Sequence, residues 1–144
     1  MGWPVEPSWV AGGTIAPCRF VVPDPSADET ILQCSVGGQP TIGVMQEGQK
    51  DTPGLTGSDA IVAAVLGDQN FKVHGLTDVC LIEAGGAFNA GAELMTDTNG
   101  RAVYATTGYY VGAIALQASA ALYKKVLCQV VRYQKAGSGG SSGV

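Results

Sequence analysis

The sequence predicts an all-β fold: a compact barrel or sandwich assembled from two similar β units and preceded by an extended arm. Three observations carry this. The first is a repeat. Ala11-Gly12-Gly13-Thr14-Ile15-Ala16-Pro17-Cys18-Arg19-Phe20-Val21-Val22 returns as Ala84-Gly85-Gly86-Ala87-Phe88-Asn89-Ala90-Gly91-Ala92-Glu93-Leu94-Met95, with an apolar residue at the fifth place of each copy. Thr41-Ile42-Gly43-Val44-Met45 is answered in the same order by Tyr110-Val111-Gly112-Ala113-Ile114, and a longer turn at 23–29 in the first copy accounts for the shifted offset. The second is composition: 144 residues include 21 glycines, and only 14% are charged, a balance suited to a turn-rich β protein. The third is the recurrence of short β-branched and aromatic runs bounded by Gly, Pro, Asn and Asp.

Taken in order, residues 1–10 form an arm. They hold both tryptophans, Trp3 and Trp9, with Pro4 and Pro7, and proline neither continues a helix nor sits inside a sheet. Trp is enriched among interface anchors, so Trp3, Pro4, Pro7 and Trp9 are the candidate contacts to another chain. The alternative is that the arm folds back and caps its own barrel. The body, 11–135, carries expected strands at 19–22, 30–35, 41–46, 60–66, 71–74, 79–83, 92–96, 102–105, 110–115 and 123–132. Asn99-Gly100 marks a hairpin by supplying positive φ angles, and 23–26 is its counterpart in the first copy. The stretch 113–127 has helical propensity in its Ala, Leu, Gln and Lys, but a loop at 117–121 followed by a strand fits the pattern of the first copy. Residues 136–144, rich in Gly and Ser, read as a flexible tail.

Several function classes are disfavoured. A chain of this length buries roughly 68–70% of its unfolded surface and needs no cross-links to hold a core. A net charge of −4 offers no footprint for nucleic acid. No run approaches the ~20 apolar residues of a membrane-spanning helix, and the N-terminus lacks a secretory signal pattern. Cys18, Cys34, Cys80 and Cys128 form no Cys-x-x-Cys pair, and the single histidine, His74, stands away from any ligand cluster, so neither a metal nor a cofactor is expected. Each cysteine sits in an apolar run, where a free thiol acts as a small buried hydrophobe; a disulfide is the competing reading. Catalysis is not expected either. The acids fall mainly in turns, no Gly-x-Ser-x-Gly elbow occurs, and the Gly-rich pieces lack a phosphate-binding Lys-Ser or Lys-Thr.

The run from Val73 through Ala84-Gly85-Gly86-Ala87-Phe88-Asn89-Ala90-Gly91 to Leu94, then Gly100-Arg101-Ala102-Val103 and Val111-Gly112-Ala113-Ile114, resembles the capsid cement (decoration) proteins of tailed bacteriophages. The resemblance spans about residues 11–132, through the order of its elements. It implies a small β-rich module on the outer surface of an assembled virion head, commonly a homotrimer, that binds the major capsid protein and stabilises the shell against internal DNA pressure. The Trp-Pro arm, the cysteine content and the longer first turn depart from the pattern. An appendage that binds carbohydrate or a host-surface receptor is the alternative, and it would present aromatic residues outward.

Overall fold

A computed structural model describes residues 9–47, 62–69 and 71–136. These residues are all-β, in two five-stranded sheets. The first contains β1 (Val10–Ala11), β2 (Phe20–Pro23), β3 (Thr30–Gln33), β4 (Gly43–Met45) and β5 (Val73–His74), in the order β1-β3-β2-β4-β5. The second contains β6 (Val79–Glu83), β7 (Glu93–Thr96), β8 (Ala102–Tyr104), β9 (Tyr110–Ala115) and β10 (Lys125–Gln134), in the order β6-β10-β9-β7-β8.

The repeat in the sequence is a repeat of topology. The run β3-β2-β4-β5 in one sheet matches β8-β7-β9-β10 in the other. Ala11 pairs in parallel with Ile31, and its counterpart Ala84 bridges Ala102 in parallel. The apolar fifth residues also correspond: Ile15 bridges Ala64, and Phe88 bridges Ser119, both antiparallel. Because Ala84 follows β6 directly and touches the start of β8, the second sheet curls almost closed.

The two sheets share one core, which explains the unbroken apolar runs of β2 and β4. Phe20 and Val44 face the second sheet and pack with Cys34, Ile82, Leu94, Ala113 and Val126. Their neighbours Val21 and Met45 point the other way, onto Ala11, Ile15, Ile31, Ala63 and Ala64. The first sheet is therefore a middle layer covered on both faces, and such strands lose the apolar–polar alternation of a half-exposed sheet. The second sheet keeps it, as in β6 and β10, where buried Cys80, Ile82, Val126, Cys128 and Val130 alternate with more accessible residues.

Three expectations need correction. The described part of 60–66 is not a strand: Ala64 makes only an isolated bridge, and the chain turns at Gly67, which has φ 86°, with Val65 N bonded to Asp68 Oδ2. A carboxylate that caps its own turn ends extended pairing. The β7–β8 hairpin draws its positive φ from Gly100 alone (78°); Asn99 instead donates its N–H to Asp97 Oδ1. Asp97 N bonds Arg101 O, so the loop is a three-residue turn closed by a left-handed glycine. The last strand runs Lys125–Gln134, later than expected, because Tyr123 is held at φ 74° in the preceding turn. The expected loop at 117–121 is present, with Ser119 bridged to Phe88.

All four cysteines are free and buried. Burial pushes the Cys18 and Cys34 thiols up to about 12. Cys80 is also raised, by its hydrogen bond with Cys128, whose Sγ lies 3.9 Å away across the β6–β10 pair, and by burial. The thiolate is the reactive form. Iodoacetamide at mildly alkaline pH should therefore leave the native protein unmodified and add four groups once it is unfolded without reductant. An intact mass showing two adducts after unfolding would place a disulfide between a pair of these residues.

Candidate functional sites: an outward sheet face and a charged cleft

Of the arm residues singled out above, Trp9 lies within the described residues, and Trp3, Pro4 and Pro7 lie outside them. Trp9 is partly buried against the cluster around Ala11, Ile15 and Ile31, immediately before β1. Val10 N bonds Glu29 O and Ala11 N bonds Asp68 O, so the chain is pinned to the first sheet from this point on. Part of the Trp9 ring is thus committed to its own module, where it anchors the root of the arm.

The tyrosines are likewise engaged by their own chain. Tyr109 covers Gly38, where a Cβ would lie 2.3 Å from its ring. Tyr133 donates its hydroxyl to Glu93, and burial together with that carboxylate pushes it up to about 12. Tyr123 carries the Arg101 guanidinium 4.6 Å above its ring centre, a cation–π contact.

Two surfaces stand out. The first is the outward face of the second sheet. Register places Leu127 beside Leu81 and Gln129 beside Val79, then Gln129 beside Ile114, and Met95 beside Val103. These positions alternate with the buried core residues, so their side chains face away from the core. Val79 is 55% exposed, Leu127 37%, and Leu116, just past β9, 46%. Single exposed apolar residues are ordinary, whereas a contiguous group on a sheet face marks an interaction surface.

The second surface is a cleft of about 460 Å3 where the first unit meets the outside of the curled second sheet. Arg19 comes from the run before β2, Glu83 ends β6, Arg101 follows the β7–β8 turn, and Lys125 opens β10 directly opposite Glu83. Glu83 Oε2 accepts from Arg101 Nε at 2.6 Å and from Arg19 Nη2 at 3.1 Å, and all three side chains are largely buried. Arg19 Nη1 also donates to Asn99 O, while its Nε is buried without a partner. Burial pulls the Arg19 guanidinium below its ordinary range, opposed by the adjacent carboxylate. Sequence reading passed over this group, because Glu83 was one acid in a strand while its partners sit 18 and 64 residues away. The one available signal was the alternation of β6, which puts Glu83 on the same face as Val79 and Leu81. Among the described residues, no group of three His, Cys, Asp or Glu side chains could hold a metal ion.

No family model matches the chain, and no curated protein sequence matches it. Its fold is similar to the crystal structure of the head fiber gp8.5 N base of bacteriophage phi29. The TM-score is 0.53 at 17% identity, and the match covers 90% of this chain and 95% of that one.

Proposed function

We propose that this protein is a structural, non-catalytic component of a phage head that sits on the outer surface of the shell and clamps neighbouring subunits of the major capsid protein. The observation that supports this most is the fold likeness to a head-fiber base over nearly the full length of both chains. The motif resemblance to cement proteins supports it independently. The docking surface in this reading is the outward sheet face around Val79, Leu81, Ile114 and Leu127, joined by the arm, whose root is fixed by Trp9. A homotrimer follows from the cement reading, since closed symmetry lets identical apolar faces engage the shell and one another.

The test is decoration of purified heads that lack the protein, read as occupancy in a particle reconstruction. The wild-type chain should fill its sites as trimers. The double variant Val79→Lys, Leu127→Lys alters two exposed positions and should fold normally yet lose at least about tenfold in affinity, the scale of a disrupted hot spot. Failure of the wild-type chain to bind heads defeats the structural reading. Full occupancy by the variant defeats the assignment of this face, and isolated copies or two-fold pairs on the shell defeat the trimer.

A further inference from the structure

Arg19, Arg101 and Lys125, three of the eight cationic side chains in a protein of net charge −4, converge on the cleft described above, with Glu83 as its carboxylate. At about 460 Å3 the cleft is in the size range of small-molecule sites. Its hydrogen-bonding capacity is only partly used. The Nη nitrogens of Arg101 and the Nζ of Lys125 donate to no described residue, and the two ion pairs of Glu83 both fall on Oε2, leaving Oε1 without a described donor. Ala16 and Pro17 form an apolar wall, and the Tyr123 ring backs the Arg101 guanidinium.

The backbone at the cleft is also held out of its relaxed state. Cys18, between Pro17 and Arg19, has φ 59°, and Tyr123 has φ 74°. A left-handed conformation is strained for a non-glycine residue, and such strain gathers where a site must be held in shape. Here it is held by hydrogen bonds, from Tyr123 N to Ala84 O and from Glu83 N to Cys18 O, both 2.9 Å.

These features define what fits. Arg101 and Lys125 call for an anionic acceptor, and a guanidinium fork matches the two oxygens of a carboxylate. Glu83 Oε1 calls for a donor. Phosphate carries up to two negative charges near neutral pH, which Glu83 repels more strongly than the single charge of a carboxylate. A neutral sugar supplies donors and leaves the cations unmatched. An acidic peptide side chain brings a carboxylate without hydroxyl donors. A sugar acid brings the carboxylate, the hydroxyls and an apolar C–H face for Ala16 and Pro17. We propose that this cleft binds a carboxylate-bearing monosaccharide unit of the uronic acid class, with its carboxylate on Arg101 and Lys125 and a hydroxyl on Glu83. The cleft adjoins the proposed head-binding face, since the Glu83–Lys125 pair is one outward step along β6 and β10 from the Leu81–Leu127 pair, but binding to it requires no shell.

The isolated protein, labelled with 15N, can be titrated with glucuronate, glucose, inorganic phosphate and a triglutamate peptide while amide shifts are followed. Glucuronate should saturate in the ~mM range expected of a single sugar unit, moving amides near Arg19, Glu83, Arg101 and Lys125. The other three ligands should bind at least about tenfold more weakly. Lys125→Gln changes an exposed side chain, so its spectrum should stay native elsewhere while its glucuronate affinity falls about tenfold, the loss of one charge-assisted bond. Equal or tighter binding of phosphate or of the peptide would make this a general anion or peptide-carboxylate site and overturn the proposal. So would glucose binding as well as glucuronate, absence of saturation, or an unchanged affinity in the Lys125→Gln variant.

Discussion

Replacing Phe20 by Ala is expected to cost about 3–5 kcal/mol of folding stability, the range for deleting a fully buried aromatic side chain. Phe20 has no exposed surface and leaves the first sheet to enter the core of the second. Its backbone also joins the units, since Phe20 N bonds Gly100 O. The ring fits because the facing residue has no side chain: a Cβ on Gly112 would lie 2.7 Å from Phe20 Cε1 and 2.6 Å from Thr41 Oγ1. Gly112→Ala alone should therefore cost about 1–3 kcal/mol by overpacking. In the Phe20→Ala background the part of that cost due to the ring should vanish, while the contact with Thr41 Oγ1 remains. Urea unfolding of the two single variants and the double variant gives the coupling directly, with more than about 0.5 kcal/mol expected. Strict additivity would mean that the ring and the glycine do not meet.

Gly43→Ala is expected to lose about 3 kcal/mol, the upper end of the range for overpacking, for a different reason. A Cβ there would lie 2.1 Å from the carbonyl oxygen of His74 and 2.9 Å from Val73 Cγ1. The obstacle is backbone of the paired strand, so no rotamer change relieves it, and β4 and β5 must separate where Val44 pairs with His74 and Met45 with Val73. Met45 is fully buried in the second cluster, which spreads the disturbance into the core. Gly86→Ala is the control: its Cβ would meet nothing within 4 Å and its backbone is not left-handed, so its stability should stay within about 0.5 kcal/mol of the parent. A Gly43→Ala protein as stable as that control would show that β5 yields without cost.

Much of the fold could be read before any coordinates because its signals are local. The span of β9 at Tyr110–Ala115 and of β6 at Val79–Glu83 agrees with the expected strands, and the β7–β8 turn was marked by Asn99-Gly100. The paired Ala-Gly-Gly segments and Gly-centred strands announced two similar units, since the same backbone demands recur at the same places. The segment around Ala64 misled because its apolar residues fill the far side of the first sheet without joining it, a role that composition cannot separate from a strand.

The sequence by itself determined the class of fold, its duplication and the burial of its cysteines, because turn residues, strand periodicity and apolar runs act over a few positions. Only the tertiary structure decided which faces are covered and which groups meet. Phe20 finds Gly112, Trp9 settles on Ile15 and its neighbours, and Arg19, Glu83, Arg101 and Lys125 gather into one cleft through the meeting of two units and the curling of one sheet. Contacts of that kind join residues distant in the chain, and their partners are selected by packing and charge in three dimensions, for which spacing along the sequence leaves no mark.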